Sequence, residues 1–275
     1  MNRPGTLFIV ATPIGNLEDI TYRAVRVLGE ADLIACEDTR QTRKLLDRYG
    51  ISRPLTSYHE HNEAERSDEL IAELESGKNI ALVSDAGTPL IADPGYRLVQ
   101  KARANGIAVS PVPGPSATIA ALSASGLPTD AFTFHGFIPP KRTQRRRLLD
   151  EIKDSEITHI FYEAPHRIIE TLGDITEILA GRPVVVAREV TKLHEEFLSG
   201  TAAEIRSGLE SRIAIKGEFT LMIGKATERA IDERPVEDAV AELVAEGVSR
   251  MDAYKRVARE RGISKRDVYK RCESK

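Results

Sequence analysis

Four short apolar runs, each closed by a turn and followed by a segment of helical spacing, constrain this chain more than any other feature. The runs are Leu7–Ala11, Asp32–Cys36, Asn79–Ser84 and Ile107–Val112. Apolar positions recurring every three to four residues predict helices over Ile20–Glu30, Thr39–Tyr49, Glu63–Ser76 and Pro94–Asn105. In the last of these Pro94 occupies the first turn, where a missing N–H is harmless. Strands alternating with helices require a mostly parallel sheet with helices on both faces.

From Pro115 the texture changes. PSATIAALSASG reads as a helix of small residues that lets backbones approach closely, and AFTFHGFIPP alternates as a strand. Further strands are expected at Ile157–Tyr162, Pro183–Arg188, Glu196–Ser199 and Glu218–Gly224, with helices at Pro165–Leu179 and Thr201–Ser211. The final stretch has no strand signal and reads as short helices at Val236–Glu246, Ser249–Arg261 and Ser264–Cys272, with Ser249 and Ser264 as N-caps and Gly247 and Gly262 as helix ends. The expected organisation is an α/β domain over residues 1–114, a second over 115–230, and a helical region over 231–275.

Composition excludes several classes. The longest apolar run falls well short of the roughly 18 residues of a membrane span. The first residues lead straight into a strand, unlike a signal peptide. Two cysteines far apart, Cys36 and Cys272, make neither a disulfide framework nor a zinc site, and suit a reducing cytoplasm. A net charge of −3 means that any nucleic-acid surface must be local.

The turns carry the chemistry. Thr12-Pro13-Ile14-Gly15-Asn16 follows the first run, Glu37-Asp38-Thr39-Arg40 the second, Ser84–Gly95 the third and Pro111–Thr118 the fourth. In a parallel sheet all four lie on the carboxyl edge, where open α/β sheets bind ligands. The first turn has one glycine and no lysine, so it is neither a dinucleotide fingerprint nor a phosphate loop. Turns this rich in small residues and poor in cations disfavour a triphosphate and suit a nucleoside-like or amino-acid-like ligand held by backbone groups. Asp85 and Asp93 offer metal ligands, but local turn hydrogen bonding explains them more plainly, and no metal is expected.

Two other clusters stand out. SYHEHNE holds His59, Glu60 and His61, which suit acid–base work near neutral pH or simply cap the next helix. PPKRTQRRR places five cations in seven residues: Lys141, Arg142, Arg145, Arg146 and Arg147. It reads as a contact for a phosphate-rich partner or as a solvated helix start. Phe132, Phe134 and Phe137 before it alternate as core residues rather than as base-stacking platforms. Residues 250–275 carry ten Lys/Arg against four Asp/Glu and resemble a small helix–turn–helix, with Lys265 and Arg266 opening its second helix, which favours nucleic-acid contact.

Taken together, TLFIVATPIGNLEDIT, EDTRQTRKLL, SYHEHNE, SDAGTPLIADPGYRLV, PVPGPSATIAALSASGLP, GFIPPK, YEAPHR and GEFTL resemble the small-subunit ribosomal RNA methyltransferases of the tetrapyrrole-methylase-like superfamily of S-adenosylmethionine enzymes. The resemblance spans nearly the whole chain. It implies a cofactor cleft between two α/β domains, a homodimer, and methylation of the ribose 2′-OH of a cytidine in the decoding region of 16S rRNA within the small ribosomal subunit. S-adenosyl-L-methionine is the implied cofactor. Where tetrapyrrole enzymes have Gly-Pro-Gly-Asp, this chain has Thr-Pro-Ile-Gly-Asn, which argues against a tetrapyrrole substrate.

Carried onto this sequence, the resemblance places the cofactor against Pro13, Ile14 and Gly15; against Ser84, Asp85, Ala86, Gly87 and Thr88; and against Ser116 and Ala117. Glu163, Ala187 and Leu221 would enclose its adenosine. A ribose hydroxyl is a poor nucleophile, so an acceptor should assist it; the candidates are His59, His61, Glu37 and Asp38. The rival functions are a small-molecule, tetrapyrrole-like methyltransferase, against which the basic stretches speak, and a non-catalytic RNA- or ribosome-binding protein.

Overall fold

The computed structural model describes residues 3–226, 234–261 and 263–273. Residues 1–225 form one compact unit and 226–275 another. The boundary expected at 230/231 and the helix-ending Gly262 lie outside the described residues.

The first unit holds two five-stranded sheets with helices around them. Its first sheet is built from β1 (Thr6–Val10), β2 (Leu33–Cys36), β3 (Leu55–Ser57), β4 (Ile80–Val83) and β5 (Ala108–Val112), interleaved with α1 (Tyr22–Glu30), α2 (Thr39–Arg48), α3 (Glu63–Glu75) and α4 (Tyr96–Ala104). All of its pairings are parallel, in the order β3-β2-β4-β1-β5. Side chains alternate across the strands. Leu7, Ile80 and Leu82 pack under α3 and α4; Val10, Ala81 and Val83 pack under α1 and α2. β3 was not expected: three residues, Leu-Thr-Ser, are too few to show a period.

From β1 the chain crosses to β2 on one side of the sheet, and from β4 it crosses to β5 on the other. β1 and β4 are therefore neighbours whose connections diverge, and a crevice opens beyond their carboxyl ends.

The second sheet is mixed. It comprises β6 (Phe132–Phe137), β7 (Thr158–Glu163), β8 (Val184–Arg188), β9 (Glu196–Gly200) and β10 (Phe219–Ile223), in the order β6-β7-β10-β8-β9. Only β6 and β7 pair in parallel. α5 (Ala117–Ser125) covers one face, while α6 (Arg142–Glu151), α7 (Ile168–Ile178) and α8 (Ala202–Glu210) cover the other. α8 begins with a reciprocal cap between Thr201 and Glu204. The aromatic alternation expected in β6 fails: a register shift between Phe134 and Phe137 breaks the period, leaving Phe132 and Phe137 exposed and Phe134 half-buried.

The second unit comprises three helices, α9 (Val236–Ala245), α10 (Arg250–Glu260) and α11 (Lys265–Glu273), around Val240, Ala253, Tyr254, Val257 and Val268. Ser249 caps α10, as its place in the sequence predicts. No helix among the described residues is long and apolar enough to cross a membrane.

Candidate functional site

The turns after β1 and β4 are joined to each other. Thr12 donates its N–H to the Gly87 carbonyl at 2.8 Å and accepts from the Gly87 N–H at 3.0 Å, while its hydroxyl reaches the Ser84 carbonyl at 3.1 Å. Gly87 has φ +80°, and a Cβ there would lie 3.4 Å from Ile14 Cγ2, so the chain needs glycine at this point. Thr88 ties the same turn to the fourth one through the Pro115 carbonyl, at 3.3 Å. Ser116 then caps α5.

Gly15, the lone glycine of the first turn, serves packing. A Cβ there would fall 2.4 Å from Lys192 Cγ and 3.1 Å from the Val190 carbonyl. With Asn16 N–H donating to Thr191 Oγ1 at 3.1 Å, this closes the β1 turn against the loop that follows β8.

Between the two sheets these turns enclose a cavity of about 400 Å³, within the roughly 300–1,000 Å³ of small-molecule sites. Of the expected cofactor residues, Ile14, Asp85, Ala86, Gly87, Thr88, Ser116, Ala117 and Glu163 line it. Pro13, Gly15 and Ser84 sit in the same turns but do not line it. Ala187 packs toward α5 and Leu221 toward the opposite helical layer, so the alternation of the strands turns both away from the cavity. Glu163 is buried, with its oxygens engaged by Thr171 Oγ1 at 2.5 Å, the Ala164 N–H at 2.7 Å and Arg167 at 3.2 Å.

The sequence reading missed several wall residues. Ile91 and Ala92 precede Asp93 in a loop where Leu90 and Ala92 take left-handed backbone angles, with no sequence signal. Phe137 reaches the wall because of the β6 irregularity. Tyr162, whose hydroxyl meets Thr118 Oγ1 at 3.0 Å, and the β10 entrance from Gly217 to Thr220 complete it.

The lining includes Asp85, Asp93, Glu163 and Glu218 but no lysine, arginine or histidine. Burial pushes the Asp93 carboxyl up, opposed by the Ser84 hydroxyl and reinforced by Asp85. Such a wall suits a ligand that carries positive charge and an apolar body. Among the described residues no group of three or more side chains has the arrangement of a metal site.

None of the four acid–base candidates lines the wall. Asp38 donates its backbone N–H to Asp85 Oδ1 at 3.0 Å, which sets Glu37 and Asp38 beside the β4 turn. The Asp38 carboxylate is held at about 2 by its hydrogen bonds from Arg40, so it is a weak proton acceptor. Burial pushes Glu37 up, and Asp85, Asp93 and Glu60 push it further. His59 lies between β3 and α3 with a buried Nδ1 that has no partner; His61 is exposed.

The expected cationic contacts fare differently. Arg142, Arg145 and Arg146 converge on Asp174 at 3.1, 2.8 and 2.9 Å. Arg145 is 1% exposed, so it is an interior ion-pair partner and presents nothing to a phosphate. Arg147 pairs with Glu151 at 3.0 Å, and Lys141 is exposed at the start of α6. In the second unit Arg266 is exposed and Lys265 half-buried.

Residues 6–206 match the family model of the Tetrapyrrole (Corrin/Porphyrin) Methylases. Over 272 residues the chain is 50% identical to ribosomal RNA small subunit methyltransferase I of Halalkalibacterium halodurans, covering 96% of this chain and 93% of that one. The enzyme of that name from Bacillus subtilis is 43% identical over 272 residues, with the same coverage of 96% and 93%. Among solved structures, diphthine synthase superposes with a TM-score of 0.62 at 14% identity, over 80% of this chain and 90% of that one. Uroporphyrin-III-C-methyltransferase from Thermus thermophilus gives 0.56 at 22% identity, over 81% and 95%. These two structures share the fold.

Proposed function

This chain belongs to the tetrapyrrole (corrin/porphyrin) methylase family, and from that premise we propose that it transfers a methyl group from S-adenosyl-L-methionine to 16S rRNA of the small ribosomal subunit, at the ribose 2′-OH of a cytidine in the decoding region. The observation that carries this reading is the acid-bearing, cation-free wall of the cavity, together with the name shared by relatives of 43–50% identity.

The wall fits that cofactor. When bound, it supplies a methyl on a sulfonium that leaves as a neutral thioether. Ile14, Ile91, Phe137 and Phe219 offer apolar surface to a nucleoside, Asp85 and Asp93 favour a cation, and the narrow turn at Gly87 gives backbone groups close access. The protein's chief task is alignment in a dry site. Glu37 accepts the proton of the attacking hydroxyl, its raised affinity for protons making it a better base than Asp38; His59 is the second choice. A substrate defined by its 2′-OH excludes DNA. Exposed Lys141, Arg147 and Arg266 add phosphate contacts that hold the RNA without choosing the base. The functional organisation is two α/β domains flanking the cofactor and a helical RNA-binding region, working as a cytoplasmic homodimer.

The test is methyl transfer from labelled S-adenosylmethionine to small subunits purified from cells lacking the modification. Label should enter 16S rRNA and protect one phosphodiester from alkali, because a methylated 2′-oxygen cannot attack its phosphate. Label entering a tetrapyrrole and not RNA would overturn the proposal, as would failure of calorimetry to detect cofactor binding.

A further inference from the structure

Resting on the function proposed above, we infer that the exposed face of α2, formed by Arg43, Lys44 and Arg48, is the track that holds the phosphate backbone of the substrate RNA beside the cofactor cavity. α2 turns Thr42, Leu45 and Leu46 inward and leaves Arg40, Arg43, Lys44, Asp47 and Arg48 on its outer side. Their spacing of three and four residues places them on one stripe.

Most of that stripe is without ionic partners among the described residues. Several exposed arginines on helices of the same unit meet a glutamate four positions on, Arg26 and Glu30 at 2.9 Å, Arg147 and Glu151 at 3.0 Å, Arg206 and Glu210 at 2.9 Å, whereas Arg23 and Arg103 reach only Ser110 Oγ and the Val109 carbonyl. On α2 only Arg40 is paired, with Asp38 at 2.8 Å. Among the described residues Arg43, Lys44 and Arg48 form no ion pair, and neither does Asp47 between them. Lys44 reaches only the amide oxygen of Gln41, at 3.1 Å. Arg40, Lys44 and Arg48 succeed one another at four-residue intervals, where like charges destabilise a helix. Asp38 answers only Arg40, and Asp47 is the one acid set among Arg43, Lys44 and Arg48, so the stripe keeps a net positive charge, which suits a surface whose counter-charge arrives from outside.

The basic run on α6 is the obvious alternative, but three of its arginines share Asp174 and a fourth is paired with Glu151. A phosphate there must compete with carboxylates already in place. On α2 it meets unneutralised cations.

Position supports the same conclusion. The backbone of Asp38, the N-cap of α2, is hydrogen-bonded to Asp85, which lines the cavity. Thr39, Arg40, Arg43 and Leu55 border a shallow depression between the start of α2 and β3. Four residues of helix advance about 6 Å, close to the spacing of consecutive phosphates on an extended strand. A strand lying along α2 thus runs toward the cavity mouth with its phosphates in step with the cations.

The experiment is charge reversal, Arg43→Glu with Arg48→Glu in the full-length protein, compared with Lys141→Glu with Arg147→Glu. Binding to small ribosomal subunits is measured across a salt series with cofactor present, and cofactor affinity by calorimetry. The α2 variant should bind subunits at least about tenfold more weakly, with the slope of log K against log salt reduced by about 1.5, because two phosphate contacts are lost. Cofactor affinity and thermal stability should match wild type, and the α6 variant should lose less. Unchanged affinity and slope in the α2 variant would overturn the inference. So would weaker binding with an unchanged slope, which would mean that α2 meets ribosomal protein. If wild type binds subunits but transfers no methyl, the proposed function fails while a binding defect in the α2 variant still upholds the track. If wild type does not bind them at all, both fall.

Discussion

Thr12 and Gly87, 75 positions apart, exchange both of their backbone hydrogen bonds, at 2.8 and 3.0 Å. This bridge joins the turns of the two central strands whose connections diverge, and so it builds the cavity wall from segments that are individually weak loops.

Gly87→Val should disrupt this wall. A β-branched residue at φ +80° is strained, and with its Cβ already in contact with Ile14 Cγ2 at 3.4 Å its methyls have little room on that side. Cofactor affinity should fall at least tenfold, or about 1.4 kcal/mol, with Gly87→Ala less affected. Calorimetry with S-adenosylmethionine checks this, and wild-type affinity in the valine variant would show that the turn does not touch the cofactor.

Glu37→Gln should lower kcat by about 10²-fold or more, the usual contribution of a general base, while leaving cofactor affinity intact. Asp38→Asn should have a smaller effect on chemistry, because Arg40 already holds that carboxylate at about 2. The wild-type rate should fall as pH drops through the Glu37 titration, which burial and the neighbouring acids move above an ordinary glutamate. That limb should vanish in Glu37→Gln. A retained limb would pass the role to His59.

Much of this was legible in the sequence because it depends on period. The apolar runs Leu7–Ala11 and Asn79–Ser84 mark β1 and β4 to within a residue or so, since a strand buried on both faces has to be apolar throughout. Turn chemistry marked the stretches Ser84–Gly95 and Pro111–Thr118, and the family resemblance narrowed them to Asp85–Thr88 and Ser116–Ala117, which line the cavity. What stayed hidden depends on three dimensions. The pairing of Arg145 with Asp174 joins residues 29 positions apart. The placement of Phe137 follows from a strand irregularity, and the closure of Gly15 on Lys192 needs the second sheet in place. Basic residues counted along the chain pointed to α6, whereas their partners are visible only in space.

Asp174→Ala should be strongly destabilising. Burial pushes the Asp174 carboxyl up, but hydrogen bonds from Arg145, Arg142 and Arg146 outweigh it and hold it low. Removing the carboxylate leaves Arg145 charged in the interior with only Glu170, at 3.7 Å, to answer it; breaking a buried pair typically costs about 3–5 kcal/mol. Arg142 and Arg146 can turn to solvent. Arg145→Met combined with Asp174→Leu should recover most of the loss in denaturant titrations. If Asp174→Ala alone is near neutral, the arginine has found water and the pair is not structural.

His159 should make the protein sensitive to acid. It is buried in β7, with Nδ1 at 2.9 Å from His135 Nε2 and Nε2 at 2.7 Å from Ser155 Oγ, and the His135 ring stacks on Phe161. Burial, with the nearby His135 and Arg182, lowers its pKa from 6.5 to about 4. Between those values the unfolded chain binds a proton that the folded chain does not, so stability falls as pH drops through the window and is fully present above it. The shift corresponds to a loss on the order of 3 kcal/mol, or roughly 5–10 °C in melting temperature for a unit of this size. His159→Gln should be less stable than wild type at pH 8 yet lose less between pH 7 and pH 4.5. Parallel melting curves for the two proteins across that range would assign the acid transition to other groups.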